Sequence, residues 1–244
     1  MQTIICKDYD AMSKWAADRV AEALRRKPDA LISFPGGDTP LGMVREFVRM
    51  VNAGEVDISK ASFVMLDEWV GLNGADEGSC ARFLEDNLFG PLQHHFAAVC
   101  CFDGRAADLE GERARHAAFI EERGPITVSV LGIGMNGHLG FNESGVDFSL
   151  SSHIIPLHPV TRQVMSKYFG GRELPLTHGI TQGIAQIMAA DTVLVLANGE
   201  KKADIVRRAV EEPVTSEVPA SVIQNHGNGF FVLDAAAASA LRAK

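Results

Sequence analysis

The 244-residue sequence predicts an α/β fold, a three-layer, mostly parallel sheet with helices on both faces. Three observations predict it. Apolar runs of strand length alternate with stretches of helical periodicity. The strand runs are near-continuously apolar, the pattern of strands covered on both faces. Glycine-rich or polar clusters directly follow several of them, where the carboxyl ends of parallel strands open toward a ligand. No repeat and no low-complexity linker divides the chain, so the expectation is one doubly wound, Rossmann-like domain over 1–244.

Each element has its own signal. Residues 10–25 put Met12, Trp15, Ala16, Val20, Ala21 and Leu24 near helical spacing. A short apolar run at 30–34 reads as a strand closed by Pro35, Gly36 and Gly37. Leu41, Val44, Phe47, Val48 and Val51 mark the next helix, and 61–66 a second buried strand. Cys80, Phe83, Leu84 and Leu88 suggest a helix, and 106–123 a longer one. The run 126–133 is rich in β-branched residues and ends toward glycine. A strand at 193–197 with a helix near 200–211 repeats the unit, and a strand at 230–233 with a helix at 234–242 closes it.

Composition excludes whole classes. Asp plus Glu (31) exceeds Lys plus Arg (23), for a net charge of −8. Nucleic acid and anionic membrane surfaces want a basic face instead. An anionic ligand therefore needs a locally positive or amide-lined site. At 46% apolar residues the chain is not disordered. No apolar run reaches the ~18 residues of a membrane span. The N-terminal stretch lacks a basic head followed by an apolar core, so no secretory signal is expected. Cys6, Cys80, Cys100 and Cys101 lack metal or CxxC spacing. Reduced thiols and a cytoplasmic location follow as expectations.

Four clusters can carry chemistry. Gly36, Gly37, Asp38 and Thr39 lie between a strand and a helix, where backbone N–H groups and a hydroxyl can meet an anion; an ordinary turn reads the same way. Asp67 and Glu68 follow an apolar strand, so one can serve as a general base in a partly dry site, or both can be loop acids. Residues 132–143 combine dense glycine with Asn136, Gly137, His138 and Glu143. A histidine held by a carboxylate five residues on is a proton-transfer device. No serine or cysteine nucleophile sits in an elbow before it. Lys201 and Lys202 follow Asn198 and Gly199, either to meet a phosphate or as solvated lysines. The other histidines lack ligand spacing, and no metal site is expected.

In this order the clusters resemble the glucosamine-6-phosphate deaminase/isomerase family, from about residue 8 to residue 242. The stretches 66–72 and 134–143 are specific, the tail from 179–181 through 218–221 also looks like this family, and the 36–40 loop is weaker and shared with relatives. The stretch 153–169 looks closer to galactosamine-6-phosphate deaminase/isomerases. The 6-phosphogluconolactonases share the sugar-phosphate loop but typically continue their histidine motif differently. Here Asn142 and Glu143 replace apolar residues and proline, and Trp69 stands where their acidic motif has arginine. A sugar-phosphate-sensing module is the reading of another class. It usually carries an added helix-turn-helix and would leave Asp67, His138 and Glu143 without work.

The resemblance implies a sugar-phosphate isomerase type of fold and a 2-amino-2-deoxyhexose 6-phosphate substrate, of glucosamine or galactosamine type. By resemblance, His138 opens the ring, oriented by Glu143 and Asn136. Asp67 moves a proton from C2 to C1, and the iminium is hydrolysed to a ketose 6-phosphate and ammonium. No cofactor is implied. The phosphate is expected on Gly36, Gly37, Asp38 and Thr39, with Lys167 and Lys202 as cations and Glu68 and Gly137 nearby. Lys167 stands where the family has arginine, losing the bidentate fork. Asp38 stands where a small residue is usual, so its carboxylate is expected to point away from the phosphate. Residues 157–176 are expected to form a lid. Leu150, Ser151, Ser152 and His153 replace the Ser-Arg-Thr-Arg stretch of allosteric members, so no activation by N-acetylated sugar phosphates is expected. The partner is a small sugar phosphate; the family runs from monomers to hexamers, which admits a homo-oligomer.

Overall fold

Asp8 starts the first helix: its carboxylate accepts the Ala11 N–H at 2.8 Å, which answers one of the free amides of the first turn. From there strands and helices alternate. The computed structural model describes residues 1–171 and 174–242, with the backbone alone for 164–167. The elements are β1 (Gln2–Cys6), α1 (Tyr9–Arg26), β2 (Leu31–Phe34), α2 (Asp38–Asn52), β3 (Ser62–Met65), β4 (Asp67–Trp69), α3 (Cys80–Leu84), β5 (Ala98–Cys100), α4 (Leu109–Arg123), β6 (Val128–Gly132), β7 (His153–Pro156), α5 (Pro159–Met165), β8 (His178–Thr181), α6 (Ile184–Met188), β9 (Thr192–Ala197), α7 (Ala203–Glu211) and β10 (Gly229–Asp234).

Among the described residues the main sheet has the order β1-β10-β9-β6-β2-β3-β5. All of its pairs are parallel. Alternation along each strand feeds two cores. In β9, Leu194 and Leu196 enter the core packed by α1 and α2. Val193, Val195 and Ala197 enter the core packed by α6 and α7. Both faces are therefore apolar, which is why the strands read as continuous runs. From β2 the chain builds outward through β3 to β5, then returns to place β6 on the other side of β2. The strand order thus reverses at the β2–β6 pair, and in such sheets a crevice opens there beyond the carboxyl ends. The loops after β2 and β6 are those singled out from the sequence.

Several expectations need correction. The run 61–66 is not one strand that ends in a loop. It stays in the main sheet only to Met65; the chain then turns at Leu66 into β4, which joins a second, antiparallel sheet in the order β4-β8-β7. The helix expected at 234–242 is a series of turns. Asp234 accepts the Ala237 N–H at 2.7 Å as a helix cap would, but its carboxylate also holds the Gly199 N–H, and no regular helix follows. The helix near 200–211 begins as one 3₁₀ turn at Glu200–Lys202. Strands β1, β5, β7 and β8 were not expected: they are edge strands or belong to the small sheet, and their apolar signal is short. No helix among the described residues is long and apolar enough to cross a membrane.

Candidate active site

Two cavities share the walls Gly36, Gly37, Trp69 and Tyr168. The larger, about 600 Å³, is lined by Asp67 and by Ser79, Cys80 and Phe141. The smaller, about 170 Å³, is lined by Asp38, Thr39, Gly134, His138, Thr161 and Lys202.

The smaller cavity has the build of an anion site. Gly37 precedes α2 with φ of 119°, a conformation that favours glycine. It leaves the first amides of the 15-residue helix without helical partners. Thr39 donates its hydroxyl to Asn198 Oδ1 at 2.9 Å, tying this loop to the one after β9. Lys202 Nζ reaches the Ile133 carbonyl at 2.6 Å, which places an ammonium at the mouth of β6. Asp38 is exposed in the first turn of α2. Lys167 falls in the stretch described by backbone alone, so that expectation lies outside the described residues.

Asp67 begins β4 and is 7% exposed. Burial pushes its carboxyl up to about 7, opposed by a hydrogen bond with the Cys80 thiol. Glu68 points elsewhere. Its side chain is fully buried and accepts the backbone N–H groups of Trp69 at 2.9 Å, Cys80 at 3.0 Å and Ala81 at 2.9 Å. Burial raises this carboxyl too, against those three donors. Glu68 lines neither cavity; it fastens the start of α3 to β4 and so positions the Cys80 thiol beside Asp67.

The loop after β6 brings its own acid. Glu143 Oε2 lies 3.3 Å from His138 Nδ1 and accepts Asn136 Nδ2 at 2.9 Å. Its Oε1 accepts the His158 backbone N–H at 3.2 Å. Burial works to raise this carboxyl, but bonding and charge from His138, with Thr161 and Asn136, outweigh it and hold it at about 2. Asn136 Oδ1 also accepts the His138 N–H at 3.3 Å, so one amide links histidine backbone and carboxylate. Glycines make room: a Cβ on Gly134 would collide with the His138 ring. Gly137, with φ of 87°, lines neither cavity; a Cβ there would meet Val218 at 2.7 Å.

The two halves meet through Gly140. A Cβ built there would lie 3.3 Å from Asp67 Oδ2 and 2.8 Å from Thr181 Oγ1. Two residues span at most about 7 Å of chain, so His138 lies within reach of the same small ligand as Asp67. Behind them stands a polar brace that sequence reasoning missed. Gln182 Nε2 donates to Ser33 Oγ at 2.9 Å and to the Met65 carbonyl at 3.0 Å. Asn142 Nδ2 donates to the Gln182 carbonyl at 2.8 Å. His116 Nε2 also bonds the Met65 carbonyl, at 2.8 Å, and burial holds its pKa down at about 3, so it stays neutral. Buried polar side chains carry no local signal in a sequence, because their partners lie 36 to 149 residues away. Thr161 and Tyr168, both from 157–176, were also missed as wall residues. Among the described residues no group of three or more His, Cys, Asp or Glu is placed to hold a metal ion.

A family model described as glucosamine-6-phosphate isomerases/6-phosphogluconolactonase matches residues 8–231. The chain is 36% identical over 242 residues to a glucosamine-6-phosphate deaminase of Clostridium perfringens, covering 99% of this chain and all of that protein. It is 36% identical to one of Clostridioides difficile, covering 100% of this chain and 98% of that protein. A solved monomeric glucosamine-6-phosphate deaminase of the NagB superfamily superposes with a TM-score of 0.94 at 31% identity, covering 98% of this chain and 100% of that one. A 6-phosphogluconolactonase from Leishmania guyanensis, at 20% identity, TM-score 0.75 and 99% coverage of both chains, shares the fold alone. With a match over nearly its whole length, the chain belongs to the glucosamine-6-phosphate isomerase/6-phosphogluconolactonase family.

Proposed function

We propose that the protein converts a 2-amino-2-deoxyhexose 6-phosphate, glucosamine 6-phosphate first, to the ketose 6-phosphate and ammonium. One observation carries the reading: a buried acid titrating near neutrality and a carboxylate-held histidine open onto adjoining cavities, one of which has an anion cradle beside the histidine. The relatives' names supply the substrate class.

The 6-phosphate lies on the amides of 36–39, with Thr39 and Lys202. His138 Nε2 takes the proton of the C1 hydroxyl and delivers it to the ring oxygen as the C1–O bond of the ring breaks, and the sugar opens to the aldehyde. The anionic Glu143 attracts the positive charge of the imidazolium. Asp67, ionised, takes the C2 proton; the electron pair forms the C1–C2 double bond, the carbonyl pair moves onto O1, and O1 takes a proton from the C2 ammonium to give the enolamine. Returning that proton to C1 leaves a C2 iminium. Water adds to C2 and the C–N bond breaks, releasing ammonium and the C2 ketone. A single carboxylate serves both carbons because they are neighbours on one face, and holding them near it removes most of the entropic cost. Burial suits Asp67 to this work: a base titrating near the working pH can both take and return a proton.

A substrate panel tests the reading. Ammonia release is expected from glucosamine 6-phosphate, with galactosamine 6-phosphate as the epimer control and 6-phosphogluconolactone left intact. Lactone hydrolysis without ammonia from either sugar would overturn it.

A further inference from the structure

We propose that Thr161 is a positioning residue for His138: its hydroxyl oxygen, hydrogen-bonded to Nδ1 beside the Glu143 carboxylate, fixes the proton on Nδ1 and leaves Nε2 for the substrate. This deepens the proposed function and rests on it for the histidine's role in ring opening.

The argument is one of donors and acceptors. Thr161 Oγ1 is 3.3 Å from His138 Nδ1. The Glu143 carboxylate lies beside this bond, 3.3 Å from Nδ1. An ionised carboxylate only accepts, while a hydroxyl has one proton to give. The carboxylate beside Nδ1 favours a hydrogen there, so in the Thr161–His138 bond the ring nitrogen donates and the hydroxyl oxygen accepts. Nδ1 then faces two acceptors and must carry the hydrogen, since a bare Nδ1 would meet a lone pair on each side. Thr161 is 6% exposed, so water does not readily replace it. The placement is reinforced three residues upstream, where the His158 N–H donates to the other oxygen of Glu143 at 3.2 Å. The segment at the start of α5 thus grips the histidine–glutamate pair twice, once by backbone and once by side chain. A ring held only by Glu143 can also pivot about that single contact; the second acceptor removes this freedom.

Three variants test it: Thr161→Val, which keeps the shape and removes the hydroxyl, Thr161→Ser, which restores it, and Thr161→Ala in case the valine does not fold. The first readout needs no substrate: the ¹⁵N spectrum of the histidine side chains, with His138 assigned by comparison with His138→Gln. The wild type is expected in the Nδ1–H tautomer, the valine and alanine variants as tautomer mixtures, and the serine variant like the wild type. The second readout is ammonia release. For valine, kcat is expected to fall roughly 10- to 100-fold, the scale of a lost bond to a charged group, with KM within about twofold. Serine should recover kcat to within about threefold. Unchanged tautomers in the folded valine or alanine variant, or a loss confined to thermal stability, would overturn the proposal. If the wild type releases no ammonia, the proposed function fails, while the tautomer spectra still decide the role of Thr161.

Discussion

Asp67, at the start of β4, and Glu143, in the loop after β6, are both buried carboxyls, 7% and 3% exposed. Their surroundings drive them apart. Asp67 has a thiol for a partner and, among the described residues, no cation, so desolvation dominates and its carboxyl rises to about 7. Glu143 has a histidine, a hydroxyl and an amide, so its carboxyl falls to about 2 although burial opposes it. The comparison teaches that exposure alone does not set a carboxyl's role; the number and charge of its hydrogen-bond partners do. One acid is left able to exchange a proton, the other is a fixed negative charge.

The comparison breaks most visibly at Asp67. Asp67→Asn should lower ammonia release by at least about 10³-fold, within the range of a lost general base. Binding of inorganic phosphate, followed by calorimetry, should stay within about twofold. The variant should also melt a few degrees higher at pH 8. An unfolded chain releases this proton near 3.9, whereas the folded protein holds it to about 7. Raising the pH through that window therefore costs stability, and the full cost remains above it. Asparagine carries none of that cost. Near-normal turnover would remove Asp67 as the base.

Glu143→Gln comes next. It keeps the shape and removes the charge, so kcat should fall about 10²-fold with KM little changed. A loss equal to that of Asp67→Asn would mean that the two acids do not divide the work as proposed.

The pH profile sharpens the contrast without a mutation. As the pH falls below about 7, Asp67 becomes protonated and kcat/KM should drop roughly tenfold per unit. Glu143 stays ionised down to about 2, so it adds no second acid limb above pH 4. A profile flat from pH 5 to 8 would contradict the Asp67 assignment.

The smallest effect concerns Asp38, exposed at the anion cradle. Asp38→Asn should tighten inhibition by inorganic phosphate by roughly two- to fivefold, the scale of an exposed charge pair. A weaker phosphate would mean that this side chain serves the site.

Much of the site is legible along the chain because each half is local. His138 and Glu143 are five residues apart, and Asn136 joins them within one loop. Asp67 directly follows an apolar run. The alternation of strands and helices is equally local, since periodicity reports which face of an element is buried. Glu68 shows the limit. Beside Asp67 it reads as a second site acid, yet it spends its carboxylate on three backbone amides, two of them 12 and 13 residues away. The 234–242 segment shows the same limit for helices: Asp234 makes a cap bond to Ala237 and alanines follow, yet the chain runs in turns.

The amino-acid order by itself determined the layered fold, the glycine turns after β2 and β6, and the residue types able to move a proton. Only the tertiary structure decided that Leu66 turns the chain into a second sheet, that Gln182 and His116 brace the turn from behind, and that Thr161 reaches His138. The physical reason is range. Propensity and periodicity act over a few residues, whereas burial and hydrogen-bond partners come from segments brought together by the sheet, and these set the charge state of each acid.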